Sequence, residues 1–139
     1  MRFEDSILIA ASVRDVWAMT VAVDGLPAIT PTISSVVRLD DGPLTVGSRV
    51  KLKPSSSRSA VWTVTELDAP RRFVWESQTL GVRTVATHEL EPVEDGTRQT
   101  LRVQLGGRGA ALMASMTGSR IAGALAAQNA GFRERAEGR

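Results

Sequence analysis

Between residues 33 and 105 the apolar residues recur at every second position, in six segments separated only by turn signals. Beyond residue 109 the period lengthens to that of a helix. Candidate strands cover residues 33–40, 48–54, 60–67, 72–79, 82–93 and 97–105. Between them lie Asp41-Gly42-Pro43, Ser55-Ser56-Ser57, Asp68-Ala69-Pro70 and Asp95-Gly96, each a compact run of turn formers. Parallel neighbours would need crossovers of a dozen or more residues, so connections this short dictate an antiparallel meander.

Ahead of the meander, residues 2–9 read as a further strand. Ser12 is placed to cap a helix that opens Val13-Arg14-Asp15-Val16-Trp17, with Asp15 at the capping-box position. Gly25 and Pro27 interrupt that helix, and a second short piece runs to Thr30 before Pro31. After Gly106-Gly107-Arg108-Gly109 a long helix extends to about Glu137. In it Ala110, Ala114, Gly118, Ala122, Ala126 and Ala130 recur every four residues, beside the bulkier Met113, Ile121, Leu125 and Phe132. Such a ridge either brings the helix close to the sheet or leaves space beneath it. The glycine run lacks the Lys-Ser/Thr of a phosphate loop and reads as a turn.

The architecture is therefore α+β: an antiparallel sheet of about seven strands, two short helices after the first strand and a long C-terminal helix. At 139 residues and 14.9 kDa the chain is one domain, residues 1–139. It holds three Trp, three Phe and no Tyr, so bulky core fillers are scarce. With no Cys and one His, disulfides, thiolate chemistry and multi-histidine metal centres are excluded, and no metal or other cofactor is expected. The 17 basic residues are spread along the chain against 15 acidic ones, without the clustered basic face and stacking aromatics of a nucleic-acid binder. Glu4 and Asp5 precede a short apolar run ending at Ala11, which is too short and too acidic for a signal peptide. The alanine- and glycine-rich tail is too polar for a membrane span. A cytoplasmic protein, monomer or homodimer, is the expectation.

Turn positions also give strand registers, and the registers decide which side chains share a face. Centring the hairpins on residues 68–71, 80–81 and 95–96 sets Val64 opposite Trp75, Glu66 opposite Phe73, Phe73 opposite His88 and Ser77 opposite Thr84. The last hairpin sets Leu90 opposite Leu101, His88 opposite Val103 and Ala86 opposite Leu105. One face then carries Trp62, Val64, Phe73, Trp75, Ala86, Val103 and their apolar neighbours, and only the C-terminal helix can cover it. The opposite face is solvated, with a Glu89–Arg102 pair across strands.

Two ionisable groups, Glu66 and His88, fall on the covered face, with Ser77 and Thr84 further along. An inward ionisable group needs a partner, water or a ligand. His88 is either a satisfied core histidine or a polar contact in a ligand cavity, and Glu66 stands at its rim. The expected cavity lining is Trp62, Val64, Phe73, Trp75 and Ala86 with the polar Ser77, Thr84 and His88. Val103 and the helix residues Met113, Ile121 and Leu125 complete it.

This element order is similar to the helix-grip fold of the START-like SRPBCC superfamily, which includes the birch-pollen-allergen and polyketide cyclase/dehydrase-like families. The resemblance is carried by Ser12-Val13-Arg14-Asp15-Val16-Trp17 and by Leu39-Asp40-Asp41-Gly42-Pro43-Leu44-Thr45-Val46-Gly47. It continues through Trp62-Thr63-Val64-Thr65-Glu66-Leu67-Asp68-Ala69-Pro70-Arg71-Arg72-Phe73-Val74-Trp75 and Thr87-His88-Glu89-Leu90-Glu91-Pro92, and covers essentially the whole chain. It implies a curved sheet gripping the long helix around a cavity for an apolar or amphipathic small molecule, entered between the short helices and nearby loops. Some relatives are aromatase/cyclases, some are hydrolase- or dehydratase-like, and many only bind or carry ligands. Cyclase relatives tend to place Arg and Tyr or Ser in the cavity; here the polar candidates reduce to His88, Glu66, Ser77, Thr84, Arg120 and Asn129.

The leading expectation is a module that binds a hydrophobic small molecule such as a lipid, polyketide or aromatic metabolite. The alternative is a cyclase/dehydratase-type enzyme with His88 as general acid or base and Glu66 or Asn129 orienting substrate. A third reading is a protein-interaction module working through the helix or a sheet edge.

Overall fold

The computed structural model describes residues 1–138. Strand β1 (Arg2–Ile9) leads into helix α1 (Val13–Val21), a short 3-10 turn (Val23–Gly25) and helix α2 (Leu26–Ile29). Strands β2 (Ile33–Arg38), β3 (Arg49–Pro54), β4 (Ala60–Asp68), β5 (Arg72–Thr79), β6 (Val82–Val93) and β7 (Gly96–Gly106) follow, and helix α3 (Ala110–Ala136) closes the chain. The sheet is antiparallel in the order β1-β7-β6-β5-β4-β3-β2, so the meander runs in sequence and β1 returns to pair with β7. Ser12 caps α1 as its position requires, accepting from the backbone N–H of Asp15 at 3.1 Å.

The registers of β5 and β6 match the spacing argument residue for residue: Phe73 opposite His88, Trp75 opposite Ala86 and Ser77 opposite Thr84. Two registers differ. The β6–β7 turn closes one residue earlier than its Asp95-Gly96 signal suggests, with Val93 opposite Gly96. His88 therefore faces Leu101 and Ala86 faces Val103, while Leu90 faces Gln99. That shift of two leaves every side chain on its expected face. In β4 an irregularity between Val64 and Glu66 shifts the pairing by one, so Glu66 stands opposite Val74 instead of Phe73.

The one-residue slip moves Glu66 to the outer face. There it pairs with Arg72, which also holds Glu89 at 2.7 Å. Arg102 bonds Glu89 at 2.6 Å, as the strand pattern suggests, and reaches Glu4 at 3.3 Å; Glu4 in turn meets Arg2 at 3.0 Å. This ladder of alternating charges crosses five strands. The bond to Glu89 holds the Arg102 guanidinium above even its usual range, although pairs this exposed contribute little stability individually.

The gripped face holds two apolar clusters. The larger gathers Val16, Val23, Leu26, Ile33, Val50, Leu52, Val64, Phe73, Trp75 and Leu90 around Phe132 of α3. The smaller, near the start of α3, gathers Val82, Leu105, Ala110 and Ala114 with Phe3, Val103, Met113 and Ile121 packed against it. The helix is fixed at both ends. A Cβ on Gly118 would stand 3.3 Å from the Phe3 ring, and one on Gly131 only 2.0 Å from the Ile29 carbonyl oxygen of α2. Between these points lies a polar latch. Asn129, fully buried, accepts from Gln99 Nε2 at 2.9 Å and donates to the Asp5 carboxylate at 2.7 Å and the Asp5 carbonyl at 3.0 Å.

The four-residue ridge of small side chains does not stay on one face. Each step of four advances about 40° around the helix, so Ala110 and Ala114 are buried while Ala122, Ala126 and Ala130 are exposed. The glycine run before α3 is a turn. Gly107 has φ +93 and its Cα abuts the Gly81 carbonyl, so that a Cβ there would stand 2.3 Å from the Gly81 oxygen.

Candidate functional site

A cavity of about 550 Å³ separates the two clusters. Its floor is the sheet: Trp62 and Trp75, Thr84, Ala86 and His88, then Leu101, Val103 and Leu105. Its ceiling is one face of α3, with Met113, Thr117, Arg120, Ile121, Ala124, Leu125 and Gln128 recurring at spacings of three and four. Leu26 of α2, Ile33 of β2 and Leu52 of β3 close one end. The lining residues that are also exposed, Pro31, Ser55, Ser56, Ser57 and Arg120, mark where the cavity opens, between the β3–β4 loop and α3.

Five aromatic rings run in a continuous row along the cavity floor and into the larger cluster. Trp62 lies 5.6 Å from Trp75, Trp75 lies 5.0 Å from Phe73, and Phe73 stacks on His88 at 5.4 Å and 23°. Phe132 meets the His88 ring edge-on at 6.3 Å. The scarce aromatics are thus concentrated at one place, with tilted and stacked geometries that contribute beyond their buried area.

His88 is 5% exposed, and among the described residues nothing hydrogen-bonds its buried Nδ1. Desolvation lowers its pKa to about 4, because no carboxylate offsets the cost of burying a cation. The ring is therefore neutral at pH 7, with one nitrogen able to donate and the other to accept. It can bond a hydroxyl, carbonyl or phenol in the cavity, or accept a proton, but it cannot serve as an imidazolium acid near neutrality.

Of the residues expected to line the cavity, Trp62, Trp75, Thr84, Ala86, His88, Val103, Met113, Ile121 and Leu125 do so. Val64 and Phe73 do not; each is 1% exposed, sealed in the larger cluster behind Trp75 and His88. Ser77 is buried beside a separate shallow depression with Thr63, Glu76 and Arg83. Glu66 is on the other side of the sheet because of the β4 irregularity, and Asn129 is bonded in the latch, so neither lines the cavity.

Leu26, Ile33 and Leu52 were missed, although the alternation of β2 and β3 carries the inward signal for the last two. Thr117, Ala124 and Gln128 follow from continuing the Met113–Ile121 stripe by threes and fours. Among the described residues no group of three or more His, Cys, Asp or Glu could hold a metal ion. No helix there is long and apolar enough to cross a membrane.

Residues 1–137 match the model of a family described as polyketide cyclase/dehydrase and lipid transport. No curated protein matches the chain. Among solved structures it is similar to the Zhui aromatase/cyclase from Streptomyces sp. R1128. The TM-score is 0.81 at 18% identity, covering 99% of this chain and 93% of that one. A START superfamily protein from Mycobacterium smegmatis superposes with a TM-score of 0.74 at 15% identity, covering 99% and 95%. The di-domain aromatase/cyclase StfQ of the steffimycin biosynthetic pathway gives 0.79 at 14% identity over 99% of this chain, which spans only 50% of StfQ. At these identities the likeness is one of fold.

Proposed function

We propose that this chain, which belongs to the polyketide cyclase/dehydrase and lipid-transport family, binds one hydrophobic or amphipathic small molecule between its sheet and α3. The observation that carries the reading is the 550 Å³ cavity itself. It divides the hydrophobic core in two, and its size falls in the range of small-molecule sites. An apolar domain of this size would gain stability by closing the space. Trp62 and Trp75 offer flat apolar walls, and His88 offers one neutral polar contact deep inside.

Titration with the neutral fluorophore N-phenyl-1-naphthylamine tests it. One site of micromolar affinity is expected in the wild type. Ala86→Phe, which fills the floor, and Ala124→Phe, which fills the ceiling, each weaken binding at least tenfold while the fold survives. An absence of saturable binding, or undiminished binding in both variants, would refute the proposal.

A second reading, cyclase- or dehydratase-type catalysis, rests on the neutral His88 imidazole lining the cavity. Here the neutral imidazole acts as a base toward an acidic C–H or O–H of a bound carbonyl compound. His88→Ala separates the two. A binder keeps most of its affinity for the fluorophore; an enzyme loses about 10²-fold or more in turnover.

A further inference from the structure

The charges of this chain are segregated around the cavity mouth. Residues 42–65 and 96–133 contain no Asp or Glu, while they hold Arg49, Lys51, Lys53 and Arg58 in the first segment and five arginines in the second. These two segments form the two sides of the opening: Ser55, Ser56 and Ser57 on the β3–β4 loop, and α3 opposite.

No carboxylate lines the cavity, and of its two arginines Arg102 is committed to Glu89 and Glu4 on the outer face. Arg120 is different. It lines the opening, and among the described residues no carboxylate lies within ion-pair distance of it. Thr117 and Gln128 lie with it on the cavity face of α3, while Trp62, Trp75, Ala86, Leu101, Val103 and Leu105 make most of the floor apolar around Thr84 and His88.

We infer, building on the cavity reading above, that the ligand is an anionic amphipath whose carboxylate or phosphate head is held by Arg120 at the mouth while its apolar body lies along Trp62 and Trp75. An unpaired guanidinium in an acid-free surround attracts an anion, and its planar fork fits either head group. Across the opening the Ser56 and Ser57 hydroxyls can donate to the same oxygens, whereas that of Ser55 already donates to the Pro31 carbonyl. A neutral lipid or hydrocarbon would leave this arrangement without a role.

The test compares dodecanoate, dodecyl phosphate and 1-dodecanol, which share one tail, by displacement of N-phenyl-1-naphthylamine from wild type, Arg120→Gln and Arg120→Lys. In low salt the wild type is expected to bind the better of the two anions about tenfold more tightly than the alcohol, and the relative affinities of carboxylate and phosphate identify the head group. The preference shrinks as salt rises. Arg120→Gln abolishes the preference, bringing the anion-to-alcohol affinity ratio to about one, and Arg120→Lys restores part of it. Equal affinity for acid and alcohol in the wild type, or an unchanged preference in Arg120→Gln, would overturn the inference and leave the cavity reading standing. Displacement by none of the three, despite binding of the fluorophore, would also overturn it. Failure of the fluorophore itself to bind would defeat the underlying reading.

Discussion

Acidification from pH 7 to pH 5 isolates the energetics of His88. In the unfolded chain the imidazole titrates near 6.5, whereas in the folded protein burial holds it at about 4. Because the folded value is depressed, the unfolded state binds the proton first, and stability present above pH 6.5 is lost as the pH falls. With these two values the loss between pH 7 and pH 5 is about 2 kcal/mol, rising toward about 3 kcal/mol below pH 4.

Glu4, lowered chiefly by its hydrogen bond to Arg102, and Asp40, lowered chiefly by the Arg49 backbone N–H, also lose stabilising contacts in acid. They do so in any variant that retains them, so the difference between wild type and His88→Phe cancels them. Phenylalanine keeps the stack on Phe73 and the edge contact with Phe132 while removing the titrating group. Urea unfolding at pH 7, 6 and 5 should show the wild type falling about 2 kcal/mol further than His88→Phe. Parallel curves for the two proteins would refute the assignment of His88 as a buried, neutral and unpartnered imidazole.

Other substitutions test how α3 is held. Gly131→Ala puts a Cβ 2.0 Å from the Ile29 carbonyl oxygen and should cost about 2 kcal/mol in chemical denaturation. Gly123→Ala, about two turns earlier on the same helix, meets open space and should gain about 1 kcal/mol. Asn129→Ala strands the Gln99 amide and removes a donor from Asp5, and should destabilise by about 3 kcal/mol, with the loss read as a lower urea midpoint.

The sequence made the topology readable because its turns are marked and its connections short. The β6–β7 register came out wrong by two residues, yet the inward set survived, since a shift of two preserves the face. Glu66 fared otherwise. The β4 irregularity adds one residue, and Thr65 beside it is an ordinary strand former with no glycine or proline to betray the break. Gln99 carries no inward signal, and Asn129, expected as a polar group in the cavity, is instead bonded to Gln99 and Asp5, which explains the complete burial of both amides. The alanine ridge misled because a spacing of four drifts around the helix; the cavity face follows the mixed three-and-four spacing instead.

The indole N–H resonances of the three tryptophans offer the most direct test of the cavity as the binding site. Trp62 and Trp75 line it, whereas Trp17 on α1 packs at the edge of the larger cluster and serves as an internal control. On titration with N-phenyl-1-naphthylamine, a ¹⁵N–¹H spectrum should show the Trp62 and Trp75 indoles shifting together to saturation while Trp17 stays in place. Unmoved Trp62 and Trp75 indoles at saturating fluorophore, with shifts confined to the backbone amides of the exposed Leu80, Leu112 and Met116, would contradict it.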